Sequence, residues 1–179
     1  MAGQRLTDKT ALDQQTGSGD LYMVVDVNDT TGSAEGTSKK IDSKFVIQTD
    51  KFSLTNAEVK LLSDSDSPKT LVGALSGYMV TVFNVTVLCT YAASTETSSN
   101  DLYFGFDSSS NSEQWKQVRD MMNTKTTDIT YVLASTPPSG GSCATTIKNK
   151  PFKMWSNAAF NGGWSCDVYV TYCYTKLLS

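Results

Sequence analysis

Carboxylates are the residues of this chain best suited to chemistry, and they fall in loose groups. Asp26 and Asp29 flank the end of an apolar run that Asp20 precedes, and Asp64 with Asp66 lies in LLSDSDSP. Oxygen ligands so spaced can gather around calcium. Neither group stands in a D-x-[DN]-x-[DN]-G loop closed by a distant Glu, so turn acids are the better account and no metal is expected. Glu113, Arg119 and Asp120 make a third charged group. A glycosidase pair would need two carboxylates about 5–9 Å apart in a cleft, and no cleft is marked. Gly32 and Gly36 in TTGSAEGT are not followed by a lysine-serine pair at phosphate-loop spacing, so no nucleotide is expected.

The chain has no histidine, and its cysteines are Cys89, Cys143, Cys166 and Cys173, none of them in a CxxC spacing. A histidine base, a Ser-His-Asp triad and the common zinc sites are therefore out of reach. Wide, irregular cysteine spacing points to buried thiols. Met1 leads into a polar stretch rather than a signal peptide, which suggests synthesis in a reducing compartment. Net charge is −3 and the sequence pI is 4.9. The only adjacent lysines are Lys39 and Lys40, so no basic stripe for nucleic acid exists. No apolar run is long enough to cross a membrane as a helix. One ligand-like cluster remains. Trp155, Phe160 and Trp164 surround Asn157 and Asn161, where exposed rings beside asparagines could stack on a host surface glycan. The plainer account is that these aromatics close the core.

The elements that must position these residues are mostly strands. Residues 1–19 form an arm, LYMVVDV at 21–27 is a strand, and 29–40 is loop material. KFVIQ at 44–48 is a second short strand. Thr55 with Glu58 forms a capping box that opens a turn or two of helix. Residues 75–91 are a strand, with Phe83, Val85, Val87 and Cys89 on one face and Val80, Val82, Thr86 and Leu88 on the other. DLYFGFD at 101–107 is another. Ser110 with Glu113, followed by Trp115, Val118 and Met122, predicts a short helix. DITYVLA at 128–134 is a strand, and 149–155 is an edge segment started by Pro151. Asn161-Gly162-Gly163 is a tight turn. It leads into a strand with Trp164, Cys166, Val168, Val170, Tyr172 and Tyr174 on one face. The expected fold is mainly β, a β-sandwich or jelly-roll-like domain over 51–179 with one or two short helices, behind an extended arm over 1–50.

Residues 5–44, RLTDKTALDQQTGSGDLYMVVDVNDTTGSAEGTSKKIDSK, resemble the N-terminal segment of tailed-bacteriophage head or tail fibre and virion-attachment proteins. The phrase Leu6-Thr7-Asp8-Lys9-Thr10-Ala11-Leu12 precedes a strand ending Val25-Asp26-Val27, and a loop from Asp29 to Ile41 follows. Thr55 to Val72 is similar to the entry of a small trimer-forming β domain, with Pro68-Lys69-Thr70 in place of the usual proline-x-glutamate. Gly162-Gly163 and Val168-Tyr169-Val170-Thr171-Tyr172 resemble its last hairpin. The resemblance implies a non-enzymatic structural part of a phage virion, made in the bacterial host cytoplasm. Its partners would be capsid, collar or tail proteins and further copies of itself, a trimer being favoured. Leu6, Leu12, Leu21, Met23, Val24, Val25, Val27 and Ile41 would then anchor it. The alternatives are a host glycan- or receptor-binding module and, behind that, a small polysaccharide depolymerase. No cofactor is implied.

Overall fold

A computed structural model describes residues 21–32, 36–63, 68–106, 114–134 and 147–176. The chain divides into two compact units, Met1–Val46 and Ile47–Ser179. The division falls a few residues before the expected boundary at 50, because residues 48–50 already pair with the last strand.

The first unit holds an antiparallel hairpin of β1 (Leu21–Asp26) and β2 (Thr37–Asp42), in register from Leu21 opposite Asp42 to Asp26 opposite Thr37. The sequence suggested loop for most of β2. A strand with no deeply buried face can carry Thr, Ser and Lys on both sides, which hides it from a hydrophobic pattern. Asp29 organises the connection. It accepts from the Thr31 amide at 3.1 Å and the Thr31 hydroxyl at 2.6 Å, and its carbonyl accepts from the Thr37 hydroxyl at 2.7 Å. The predicted strand at 44–48 is absent: Ser43–Phe45 is a single 3₁₀ turn, and the next strand begins only at Gln48.

The second unit runs β3 (Gln48–Leu54), α1 (Asn56–Lys60), β4 (Lys69–Val72), β5 (Tyr78–Tyr91), β6 (Leu102–Gly105), β7 (Gln114–Val118), β8 (Ile129–Ala134), β9 (Phe152–Ser156) and β10 (Trp164–Lys176). Two four-stranded antiparallel sheets result, ordered β3-β10-β5-β8 and β4-β9-β6-β7. The fold is thus mainly β, with one short α-helix among the described residues. The Thr55–Glu58 capping box forms as expected and starts that helix. Both sheets feed one hydrophobic cluster. Val85, Val87, Val168 and Val170 come from the first sheet, and Phe104, Phe152 and Met154 from the second.

Strict alternation misassigns the faces of β5. Thr171 of β10 pairs with Asn84 and Tyr172 with Val82, so Phe83 is an extra residue in the ladder. This bulge inverts the parity. Val80 and Val82 share the buried face with Val85, Val87 and Cys89, while Phe83 and Leu88 stay exposed. Two further expectations change. The segment expected as a sheet edge at 149–155 is β9, an interior strand between β4 and β6. β9 and β10 lie in different sheets, so Asn161-Gly162-Gly163 closes no hairpin.

The predicted helix over 110–122 is also absent, although Ser110 and Glu113 lie outside the described residues. Gln114–Val118 is β7, paired with β6 from Val118 opposite Leu102 to Lys116 opposite Phe104. Trp115 meets the Phe152 ring edge-on at 5.8 Å, and Met121 and Met122 are buried by the turn that follows. A strand followed by a tight reversal therefore reproduces the spacing of a helix face. The reversal holds non-glycine residues at positive φ, Asp120 at 47°, Met122 at 59° and Thr124 at 60°. For β-branched Thr124, which is exposed, this conformation is strained. Thr124→Gly is expected to stabilise the protein by about 0.5 kcal/mol, the relief of strain outweighing the entropy that glycine adds to the unfolded chain. Denaturant titration would read it, and a loss of stability would refute it.

Candidate functional site

Among the described residues a dense polar constellation is built around Glu96, a carboxylate only 1 % exposed. It lies in the loop between β5 and β6 and bridges to Asn123, while its carbonyl accepts from the Thr124 amide at 2.9 Å. One carboxylate oxygen accepts from the Ser98 hydroxyl at 2.5 Å and the Ser98 amide at 3.1 Å. The other accepts from the amides of Gly162 at 2.8 Å and Asn161 at 3.0 Å and from the Trp164 indole at 3.2 Å. Burial alone would raise the Glu96 pKa. The hydrogen bonds from Ser98, Gly162, Asn161 and Trp164 outweigh it and hold the carboxyl below its ordinary value.

The glycines of this loop are set by close approach. A Cβ on Gly162 would come within 2.9 Å of the Glu96 backbone, and one on Gly163 within 2.8 Å of the Ser94 amide nitrogen. The Gly163 amide donates to the Ser94 carbonyl at 2.7 Å, and its carbonyl accepts from Ala92 at 2.8 Å. Asn56 reaches across from α1 to the carbonyls of Gly162 at 3.0 Å and Trp164 at 2.8 Å. Ser156 donates its amide and its hydroxyl to the Leu62 carbonyl.

The five residues singled out as a glycan site all lie here, but as parts of this lock. Trp155 is 5 % exposed, Phe160 3 % and Trp164 1 %. Trp155 stacks on Tyr103 at 5.8 Å, and Phe160 meets Trp164 edge-on at 5.1 Å. Buried rings offer no face to a sugar. Phe160 and Trp164 close the core, while Trp155 is buried outside the core cluster, on the face of β9 that carries its contact with Tyr103. Asn157 accepts from the Asp101 amide at 2.7 Å, and Asn161 exchanges hydrogen bonds with Thr97 at 3.0 Å. Both asparagines tie one loop to another. Glu96 itself was not singled out from the sequence: in TETSSN it looks like any solvated loop acid.

Of the acidic groups, Asp26 and Asp29 are held by their neighbours. Lys39 sits 2.9 Å from both Asp26 and Asp29, and the Thr31 hydroxyl, ahead of Lys39, holds the Asp29 carboxyl at about 2. Asp20, Asp64, Asp66 and Glu113 lie outside the described residues. Arg119 and Asp120 are exposed on the turn after β7, not on a helix face. Among the described residues no cluster of three or more His, Cys, Asp or Glu is placed to hold a metal. Cys89 and Cys166 face each other across β5 and β10 as free, buried thiols, and burial pushes Cys166 up to about 12. Cys173 is half-buried, and Cys143 lies outside the described residues. A hollow of about 120 Å³ lies between Leu54, Glu58, Leu61, Leu62 and Lys69. Ligand pockets run to roughly 300–1,000 Å³, so it is small for an organic substrate.

Of the residues expected to anchor the chain, Met23 is 69 % exposed, Val27 68 % and Val24 38 % on the hairpin of the first unit, and Ile41 is half-buried. Leu21 and Val25 take their places in β1, and Leu6 and Leu12 lie outside the described residues. No helix among the described residues is long and apolar enough to cross a membrane. No family model, no curated protein and no solved structure matches the chain.

Proposed function

We propose that this protein is a non-enzymatic structural component of a tailed-phage virion, a short head or tail fibre or a fibre base. In this reading the first unit anchors it to capsid, collar or tail, and the second projects as a β-sandwich or jelly-roll-like domain in a homo-oligomer, most simply a trimer. The observation that carries the proposal is the hairpin of the first unit. Among the described residues the sheet of the first unit has only these two strands, and a lone two-stranded hairpin is marginal in water. Here Met23, Val24 and Val27 are exposed on such a hairpin. Apolar side chains so presented gain most by docking on another protein surface. The hairpin also falls within the segment that resembles phage attachment proteins, residues 5–44.

A chain lacking residues 1–46 is expected to keep its fold but to disappear from purified particles. Val24→Asp in the full chain should lower the copy number at least tenfold, since it puts a charge into the docked surface. Both are read by quantitative blotting of particles against the major capsid protein. Normal copy number of the truncated chain would refute the anchoring role, and turnover of host surface glycan by the pure protein would refute the non-enzymatic one.

A further inference from the structure

The four outer strands of the two sheets are not equally guarded against pairing with another chain. Exposed edges in natural sheets are blunted by charge, proline, bulges or shortness. β3 carries Asp50 and Lys51, Asp50 pointing inward to accept from the Tyr172 hydroxyl at 2.7 Å. β4 is four residues long, follows Pro68, opens with Lys69 and slips register against β9 between Thr70 and Val72. β7 carries Lys116 and slips register against β6 at Gly105. β8 has none of these devices. Ile-Thr-Tyr-Val-Leu-Ala holds no charge and no proline, and it pairs with β5 without a break from Ile129 opposite Cys89 to Ala134 opposite Asn84.

The side chains of β8 are also incompletely covered. Val132 is 64 % exposed on the outer face, with Leu88 at 37 % on neighbouring β5. Ile129, Tyr131 and Leu133 point to the core yet are only half-buried. Among the described residues no strand pairs with the free side of β8.

We propose that this edge is a contact between two copies of the chain, β8 pairing antiparallel with β8 across a two-fold axis normal to the sheet. Such an axis keeps the buried faces of both copies on one side, which requires one residue to lie opposite its own equivalent. Centring on Tyr131 sets Ile129 against the partner's Leu133 and Thr130 against the partner's Val132. Centring on Val132 sets Tyr131 against the partner's Leu133 and Thr130 against the partner's Ala134. Within β8 either register opposes only apolar, aromatic and threonine side chains, the cross-strand pairs that stabilise sheets. Centring on Tyr131 also sets Ala134 against the partner's Asp128, and in neither register do like charges meet. Self-complementarity is what selects a second copy as the occupant: a two-fold contact must match itself, and of the four edges β8 alone has no charge to oppose its own image. The result is one continuous eight-stranded sheet made of two four-stranded halves. The contact does not depend on the virion reading, and any three-fold association would use a different surface.

Sedimentation equilibrium of the full chain at high micromolar concentration tests it. The wild type is expected at an even multiple of its 19.4 kDa mass, and Val132→Lys at half the wild-type value with an unchanged circular dichroism spectrum. Thr130→Lys, at a second exposed site of the same strand, gives the same readout if Val132→Lys fails to fold. Amides of residues 129–134 in the wild type should exchange more slowly as protein concentration rises. A wild-type monomer, a Lys variant that is folded and still fully associated, or exchange independent of concentration would each overturn the proposal.

Discussion

Glu96→Gln is expected to cost about 3 kcal/mol of stability at neutral pH, because a buried donor left unpaired costs about 1–3 kcal/mol. The amide has the shape of the carboxylate but only one acceptor oxygen. Turned one way, its NH2 group faces the Gly162 and Asn161 amides and the Trp164 indole; turned the other, it faces the Ser98 amide, and only the Ser98 hydroxyl can rotate to accept from it. The loss should depend on pH in one direction. The folded-state pKa of Glu96 lies below its unfolded value, so the carboxylate's contribution is complete above the unfolded pKa, about 4.3. It is lost as pH falls through the lower folded value, because the wild type then carries a proton there too. Urea titrations of both proteins at pH 7 should therefore show a wide gap that narrows on acidification. Coincident midpoints at pH 7 would sink this account of Glu96.

Gly162→Ala should be nearly as damaging, at about 3 kcal/mol, in the upper range for overpacking a tight site. The new methyl group would sit 2.9 Å from the Glu96 backbone, where no flexible side-chain end can yield. Either the loop before Trp164 or the loop carrying Glu96 must move, and the hydrogen bond from the Gly162 amide goes with it. For a chain of this size that corresponds to a fall in Tm of about 10 °C. Combined with Glu96→Gln the cost should be clearly less than additive, since both changes open the same contact. An unchanged melting temperature for Gly162→Ala would refute the expectation.

These two expectations place the strongest constraint of the second unit at one end of its sheets, where the loops after β5 and β9 meet. That end holds every aromatic once open to a ligand role.

How much of this was legible in the residues depended on whether local pattern and tertiary demand agreed. They agreed where strand-forming residues run long enough to mark an element without help from the register. The alternation of Trp164, Cys166, Val168, Val170 and Tyr172 and the β-branched run of β5 mark strands by themselves, as Thr55 with Glu58 marks the helix start. Mainly-β character and the absence of histidine chemistry follow from the chain alone. They disagreed where long-range pairing overrode local spacing. Trp115, Val118 and Met122 look helical because a strand and a left-handed reversal bury the same residues, and only pairing with β6 selects the strand. One unpaired residue at Phe83 exchanges the faces of β5, a choice made by the register of β10. Glu96 is separated from Gly162 and Trp164 by more than sixty positions, and no short-range signal joins them. A buried carboxylate survives only with its charge fully met by donors, and those donors come together only once both sheets have formed.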